Sequence, residues 1–304
     1  MENNPMKHMR IDMECRNCLT RLADLTAALA TKDPGLQTKA YNAALAIIAA
    51  EFSPGAIPAL IANRFHLAIQ EITGNPDPFL PRKEAETAFL HRHFRAIAPN
   101  FPETLESRLK LAVLGNAVDF FRSEKEVAGE FSQRFTFAIS HLAAFRDLLG
   151  AGPGLLLYLA DNAGEQHFDA PLVQFLRGLG WQVFYVVKGG PIQNDLTRAD
   201  LEASGLHYLL EPVLETGVRS VGLVLAEASA AFQEAFHRAR LIVAKGMGHF
   251  ETLGHLGDPR LFFLLQAKCR PVAQALGVRQ GKFVFAPAKK IFPDFPLDKY
   301  QTLI

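Results

Sequence analysis

The stretch Leu155–Glu165 reads LLLYLADNAGE: six apolar residues in a row, then at once Asp161, Asn162, a glycine and Glu165. A short continuous apolar run that stops at polar residues and glycine predicts a strand covered on both faces. The same pattern returns at Gln182–Val187 (QVFYVV), Leu241–Ala244 (LIVA), Arg260–Leu265 (RLFFLL) and Lys282–Phe285 (KFVF). Helix-like segments separate most of these runs, which predicts an α/β fold, a doubly wound, mostly parallel sheet. Upstream of the hinge-like Gly150-Ala151-Gly152-Pro153-Gly154 the pattern is different. Apolar residues three and four apart predict helices over Leu19–Ala30, Thr38–Phe52, Ala56–Ile72, Glu84–Ile97, Glu103–Phe121 and about Glu126–Leu149. Pro34-Gly35, Ser53-Pro54-Gly55 and Asn75-Pro76-Asp77-Pro78 interrupt them. No alternating strand is predicted before residue 150. The expected organisation is an N-terminal all-helical part, 1–150, followed by a Rossmann-like α/β part, 151–304.

Composition narrows the class. Of 304 residues 49% are hydrophobic and 21% charged, enough to bury a large core and too apolar for disorder. Thirty-two Lys+Arg against thirty-one Asp+Glu give a formal charge of +1, so no nucleic-acid or anionic-membrane partner is expected. Three cysteines exclude a disulfide framework. A polar start, Met1-Glu2-Asn3-Asn4-Pro5, and the lack of a long apolar run predict a soluble, cytoplasmic protein.

In open α/β sheets ligands bind beyond the carboxyl ends of the strands. The loops there carry Asp161-Asn162-Ala163-Gly164-Glu165, then Lys188-Gly189-Gly190-Pro191-Ile192-Gln193-Asn194-Asp195, then Lys245-Gly246-Met247-Gly248-His249-Phe250-Glu251. Asp161, Asn162 and Asp195 offer hard oxygens suited to Mg²⁺ or Mn²⁺. Each could instead cap the helix that follows it. Lys188 and Lys245 each precede a glycine, where an ammonium and backbone N–H groups can face an anion. Together these groups suggest a divalent cation opposite a phosphate. No GxxxxGK[ST] loop, GxGxxG turn, H-E-x-x-H or G-x-S-x-G is present, and Ala163 stands where a haloacid-dehalogenase phosphatase would carry its second aspartate.

The loops resemble those of the metal-dependent damage-control phosphatases, also catalogued as domain of unknown function 89. Cys15-Arg16-Asn17-Cys18, Gly115-Asn116-Ala117-Val118-Asp119-Phe120, the three strand-end loops and Ala267-Lys268-Cys269 occur in the family's order. The Cys-x-x-Cys looks most like the stand-alone prokaryotic branch. The resemblance implies a phosphatase of small phosphometabolites, sugar phosphates or damaged intermediates, that uses Mg²⁺, Mn²⁺, Co²⁺ or Ni²⁺. It implies metal ligation by Asp161, Asn162 and Asp195, and a substrate phosphate held by Lys245 with Gly246, Asn116 and Asn194 beside it. Catalysis would fall to Asp161, Glu165 and Asp119. Asp161 could attack directly, or a water could attack with Glu165 or Asp119 as its base; Asp161 is read chiefly as a ligand. Met247 and His249 stand where the family commonly has Gln and Asn, which opens the question of substrate, and His249 is expected to reach the cleft. Pro171 suggests that the helix after the first loop begins late.

The remaining signals are weaker. Cys15 and Cys18 fit either a packed pair of reduced thiols or a metal or redox site. Cys269 reads as a small packed residue, and His91-Arg92-His93 as a solvated helix face. Twenty-four phenylalanines read as core, with room for a homo-oligomer face. Two other functions compete: an S-adenosylmethionine-dependent methyltransferase and a non-catalytic phosphometabolite-binding protein. Lys188 argues against the first, since an acidic residue should end that strand. The Asp161, Asn162 and Asp195 set argues against the second. A small-molecule phosphate ester is the expected partner.

Overall fold

The computed structural model describes residues 11–117 and 135–288. Helices α1 (Met13–Ala30), α2 (Pro34–Glu51) and α3 (Pro58–Thr73) pack around an apolar interior of their own, with Ala23, Ala40, Ala44, Phe65 and Ile69 at its centre. Small residues on α1 and α2 let the backbones approach closely, while Phe65 fills the remaining space. Asp33 starts α2 by accepting from Leu36 N, and Pro34 occupies the first turn, where its missing N–H costs nothing. Helix α4 (Leu80–Ile97) and α5 (Leu105–Gly115) belong instead to the sheet: Phe89, Leu90, Leu109 and Val113 share a core with the strands.

The sheet has seven strands, β1 (Ile139–Ser140), β2 (Leu155–Leu159), β3 (Gln182–Val187), β4 (Val213–Glu215), β5 (Leu241–Lys245), β6 (Leu261–Gln266) and β7 (Phe283–Pro287). Their spatial order is β1-β7-β6-β5-β2-β3-β4, and every pair is parallel except β6 with β7. Alternate residues of each central strand enter opposite cores. Leu156 and Tyr158 face the core shared with α5 and α7 (Gln166–Gly178), whereas Leu157 and Leu159 face the core closed by α10 (Ala230–Arg238), α11 (Gly246–Leu253) and α12 (Arg270–Leu276). Full burial of each such side chain contributes about 1.5–3 kcal/mol, which is why these strands read as unbroken apolar runs. Helix α6 (Leu142–Gly150) sets Phe145 edge-on against Phe262 and Phe285. Two short helices, α8 (Arg198–Ala203) and α9 (His207–Leu210), link β3 to β4.

Three local expectations are corrected. A strand, β1, does precede residue 150, and β1 and α6 occupy the end of the segment expected to be one helix from about 126 to 149. The part of that segment before residue 135 lies outside the described residues. Helix α7 begins at Gln166, so Pro171 lies inside it rather than before it. The start of α7 is imposed by tertiary contacts of Glu165 and Asp169, which outweigh the hydrogen bond a proline cannot give.

Strands β2, β3 and β4 run to one edge and β5 and β6 to the other, so the order reverses between β2 and β5. A crevice opens at such a switch point. Here the loop after β2, Asp161-Asn162, and the first turn of α11, Gly246-Met247, which follows β5 without a loop, flank it. No described helix is long and apolar enough to cross a membrane.

Candidate active site

Backbone bonds lash the first two loops together. Leu196 N donates to Asp161 O at 2.8 Å, Ala163 N donates to Asn194 O at 2.8 Å, and Asn162 and Asp195 form an isolated antiparallel bridge. Asp161, Asn162 and Asp195 are thereby brought to one place, from positions 34 residues apart at the extremes. None of the three caps a helix: Glu165 is the N-cap of α7, and Thr197, in a capping box with Asp200, starts α8.

Two amides bridge two carboxylates at the centre of the site. Asn116 Nδ2 donates to Asp161 Oδ2 at 2.8 Å and to Glu165 Oε1 at 2.9 Å. Asn162 Nδ2 donates to the same two oxygens at 2.9 and 2.7 Å. Asn116, at the end of α5, is fully buried and accepts from Gln266 N through Oδ1, so it holds the carboxylates in place and does not line the cleft. The third of the expected loops is in the structure the first turn of α11, and it reaches the same carboxylate from the other side. Gly246 has φ +76°, and a Cβ there would stand 1.8 Å from Asp161 Oδ2, so only glycine permits this approach.

Lys245 lies beneath this layer. Its ammonium donates to Glu165 Oε2 at 2.8 Å, Asp169 Oδ1 at 2.6 Å and Ala112 O at 2.9 Å. Tyr158 and Tyr185 hydroxyls complete the Asp169 carboxylate at 2.7 and 2.9 Å. The phosphate-holding role expected of Lys245 is therefore corrected: all three ammonium hydrogens are occupied inside the protein, and among the described residues the cations that line the cleft are Arg21 and Lys268. Glu165 likewise has both oxygens occupied and is 1% exposed, a hub rather than an open base.

Lys188 makes a parallel arrangement under the second loop. It lies 3.3 Å from Asp195 Oδ2, an ion-pair contact without hydrogen-bond geometry, donates to Gly222 O, and is 3.2 Å from His249 Nε2. His249 Nδ1 is 2.7 Å from Lys245 O, a carbonyl that can only accept, so Nδ1 carries the hydrogen and Nε2 accepts from Lys188. Burial, then Lys188, holds His249 well below the usual histidine range. The expectation that His249 reaches the cleft is thus corrected; Met247 and Gly248 line it instead.

The carboxylates differ in their titration. Burial, then the charges of Glu165 and Asp195, push Asp161 up to about 8. Burial pushes Asp195 up to about 6 against the pull of Lys188. Burial acts in the same sense on Glu165, but the charges of Lys245 and Lys268, with hydrogen bonds from Lys245 and Asn116, together hold it below the usual range. For Lys245 the charges of Asp169 and Glu165 overcome burial and raise it.

The cleft above has a volume of about 710 Å³. Its floor is Asp161, Asn162, Asn194 and Asp195, and its far wall is α1 and α3, with Leu19, Leu22, Ala59 and Ala62. Polar contacts of α3 fix the loops across it. Ala59 N donates to Glu251 Oε2 at 3.0 Å, Asn63 Oδ1 accepts from Val221 N at 2.7 Å, and Gln70 bonds Pro191 O and Arg219. Cys15, Cys18 and Cys269 line the same cleft, and none of them is in a disulfide. Burial pushes Cys269 up to about 12.

Among the described residues no group of three or more His, Cys, Asp or Glu side chains is arranged to hold a metal ion. A mixed carboxylate and amide set remains. Asp195 Oδ2 and Asn194 Oδ1 are buried without a hydrogen-bond donor, and Asp161 uses only Oδ2 in hydrogen bonds. Spare acceptor capacity gathered in this way, with the Lys188 ammonium in ion-pair contact with Asp195 alone, fits a hard divalent cation. Asp119 lies outside the described residues. Asp169, Tyr158, Tyr185 and Lys268 were missed by sequence reasoning. Asp169 carries a signal in its spacing four residues after Glu165, which puts both on one face of α7. A tyrosine within an aliphatic strand also announces a buried hydroxyl in need of a partner.

A doubly wound α/β protein whose strand-end loops converge on an acidic cleft at the switch point has its ligand crevice there. Residues 11–284 match the family model described as "Damage-control phosphatase ARMT1-like domain", and the chain belongs to that family. It is 35% identical over 283 residues to "Damage-control phosphatase PH1575" of Pyrococcus horikoshii, covering 91% of this chain and 97% of that one. It is 31% identical over 284 residues to "Damage-control phosphatase" of Archaeoglobus fulgidus, covering 91% and 98%. The crystal structure of a DUF89 family protein from P. horikoshii superposes with a TM-score of 0.83 at 34% identity, over 93% of this chain and all of that chain.

Proposed function

We propose that the chain is a cytoplasmic, metal-dependent phosphomonoester hydrolase of small phosphorylated metabolites, sugar phosphates or damaged phosphometabolites, from the stand-alone prokaryotic branch marked by Cys15 and Cys18. The observation that carries this reading is a pair of buried oxygens without a hydrogen-bond donor, Asn194 Oδ1 and Asp195 Oδ2, beside the Asp161 carboxyl on the cleft floor. The phosphatase names of the P. horikoshii and A. fulgidus relatives support it. Asp161, Asn162 and Asp195 would hold Mg²⁺, Mn²⁺, Co²⁺ or Ni²⁺, which when bound supplies positive charge against a phosphomonoester dianion.

The chain's own residues account for the rest. Asn116, Asn162 and Gly246 hold Asp161 in one orientation, and Glu165 acts through the first two of these. Lys245, with Asp169 and the two tyrosines, fixes Glu165 and keeps it charged. Lys268 lines the cleft and bears electrostatically on Asp161 and Glu165, so we assign to it the phosphate contact that the resemblance gives to Lys245. The wall formed by α1 and α3 would face the leaving group and exclude water. A methyltransferase is disfavoured because the end of β3 carries Lys188, engaged with Asp195, where a ribose diol would need an acid.

Phosphate release from a panel of phosphomonoesters, with metal-free protein and with each cation added, tests the reading, with Asp161→Ala alongside. Metal-dependent turnover that falls by at least about 10²–10³ in the variant is expected. Turnover unaffected by metal removal, or retained by Asp161→Ala, refutes it.

A further inference from the structure

Asn194 is 3% exposed, and its Nδ2 donates at 2.8 Å to Glu86 Oε2 on α4, 108 residues earlier in the chain. Glu86 Oε1 accepts at 2.8 Å from Arg82 Nε, one turn away on the same helix. Asn194 Oδ1 is buried with no partner, although the residue lines the cleft. The two ends of an amide are nearly identical in shape and opposite in polarity, so the neighbours decide which end faces a ligand. Arg82 can only donate. The Glu86 carboxylate accepts on both oxygens, so Asn194 must give its NH₂ to Glu86 and present its oxygen elsewhere. The next residue, Asp195, also has an Oδ2 without a hydrogen-bond donor.

We propose that Glu86 is a positioning residue: by holding Asn194 Nδ2 it turns the Asn194 carbonyl oxygen into the cleft, as an acceptor beside Asp195 for the divalent cation. The proposal rests on the reading of the cleft as a cation site. It assigns to α4, a helix outside the three strand-end loops, control over the polarity of one position in the cleft floor. A relay of this kind has a defined logic of inversion. In Glu86→Gln the shape is unchanged, but Arg82 claims the single carbonyl oxygen and the glutamine NH₂ is left to face Asn194. The Asn194 amide must then turn over, and its NH₂, which cannot ligate a cation, enters the cleft.

The test is the affinity for Mn²⁺ measured by calorimetry on the full chain without substrate, with thermal unfolding measured beside it. Glu86→Gln is expected to bind Mn²⁺ about tenfold more weakly, the scale on which outer partners of a metal site act, while unfolding near the wild-type temperature. Arg82→Met added to Glu86→Gln frees the glutamine carbonyl for Asn194 and is expected to restore most of the affinity, which a merely structural role for Glu86 would not do. Asn194→Leu should lose at least as much affinity as Glu86→Gln. Wild-type affinity in Glu86→Gln, or no recovery in the double variant, overturns the positioning role alone. Failure of the wild-type chain to bind Mn²⁺ overturns the cation reading and this proposal with it.

Discussion

Replacing Gly246 by alanine places a methyl group 1.8 Å from Asp161 Oδ2 and 2.3 Å from its carboxyl carbon. Ordinary contact begins near 3.4 Å, so either the carboxylate or the start of α11 must shift by about 1.6 Å. Asp161 cannot yield freely, because Oδ2 is held at 2.8 and 2.9 Å by Asn116 and Asn162. A shift of that size breaks both bonds, together worth about 1–3 kcal/mol where the carboxyl is protonated and about 3–6 kcal/mol where it is ionised. The left-handed backbone at φ +76° adds about 1–2 kcal/mol for any residue with a Cβ. Partial relaxation leaves an expected loss of stability on the order of 3–5 kcal/mol. Because a displacement of about 1 Å at a reacting centre costs about 10²-fold, kcat/KM for phosphate release should fall at least that far. Gly277→Ala is the matched control: its φ is +68°, and a Cβ there meets nothing within 4 Å. It should show the backbone cost alone, with full activity. Urea unfolding and phosphate release on both variants decide the matter. Gly246→Ala with activity and stability like those of Gly277→Ala would refute the argument that the third loop is pressed against Asp161.

Lys245→Met leaves Glu165 and Asp169 buried without their cation, and should cost about 3–5 kcal/mol in urea unfolding. Its substrate KM should change less than that of Lys268→Met, since Lys268 lines the cleft and Lys245 does not. Burial raises the Glu251 carboxyl from 4.5 to about 7. Its folded state therefore holds a proton that the unfolded chain releases, and the stabilisation is complete below pH 4.5 and lost as pH rises through about 7. Glu251→Gln should match wild type near pH 4 and become the more stable protein by about 1–3 kcal/mol at pH 8. Parallel stability curves for the two across that window would refute the assignment.

The legibility of the fold followed burial. β2, β3, β5, β6 and β7 are covered on both sides and leave unbroken apolar runs in the sequence. β1 and β4 have two and three residues at the sheet's edges, with no fully buried position, and leave no such trace. The convergence of Asp161, Asn162 and Asp195 was legible because strand-end loops meet at one rim whatever their sequence separation. The occupancy of Lys245 was not. A lysine before a glycine at a strand end looks the same whether its ammonium faces a ligand or turns under the floor, and the groups that turn it under, Asp169 on α7 and the Ala112 carbonyl on α5, are supplied by other elements. Glu86 and the Ala59–Glu251 contact were equally hidden, because hydrogen bonds spanning 108 and 192 residues have no local pattern.

The contacts by which α3 holds the loops carry a consequence for the order in which the molecule is made. Ala59, Asn63 and Gln70 bond to groups 192, 158 and 121 residues later in the chain. The helices that bear them have an apolar interior that needs nothing from the sheet. As synthesis proceeds from the N-terminus, that surface is complete well before the segments it will grip have been translated. The contacts that bind this wall to the loops can therefore form only after the later segments have been made, and contacts of such long range are the slow kind to form. Defects in the face of α3 would surface as slow maturation of an otherwise folded enzyme.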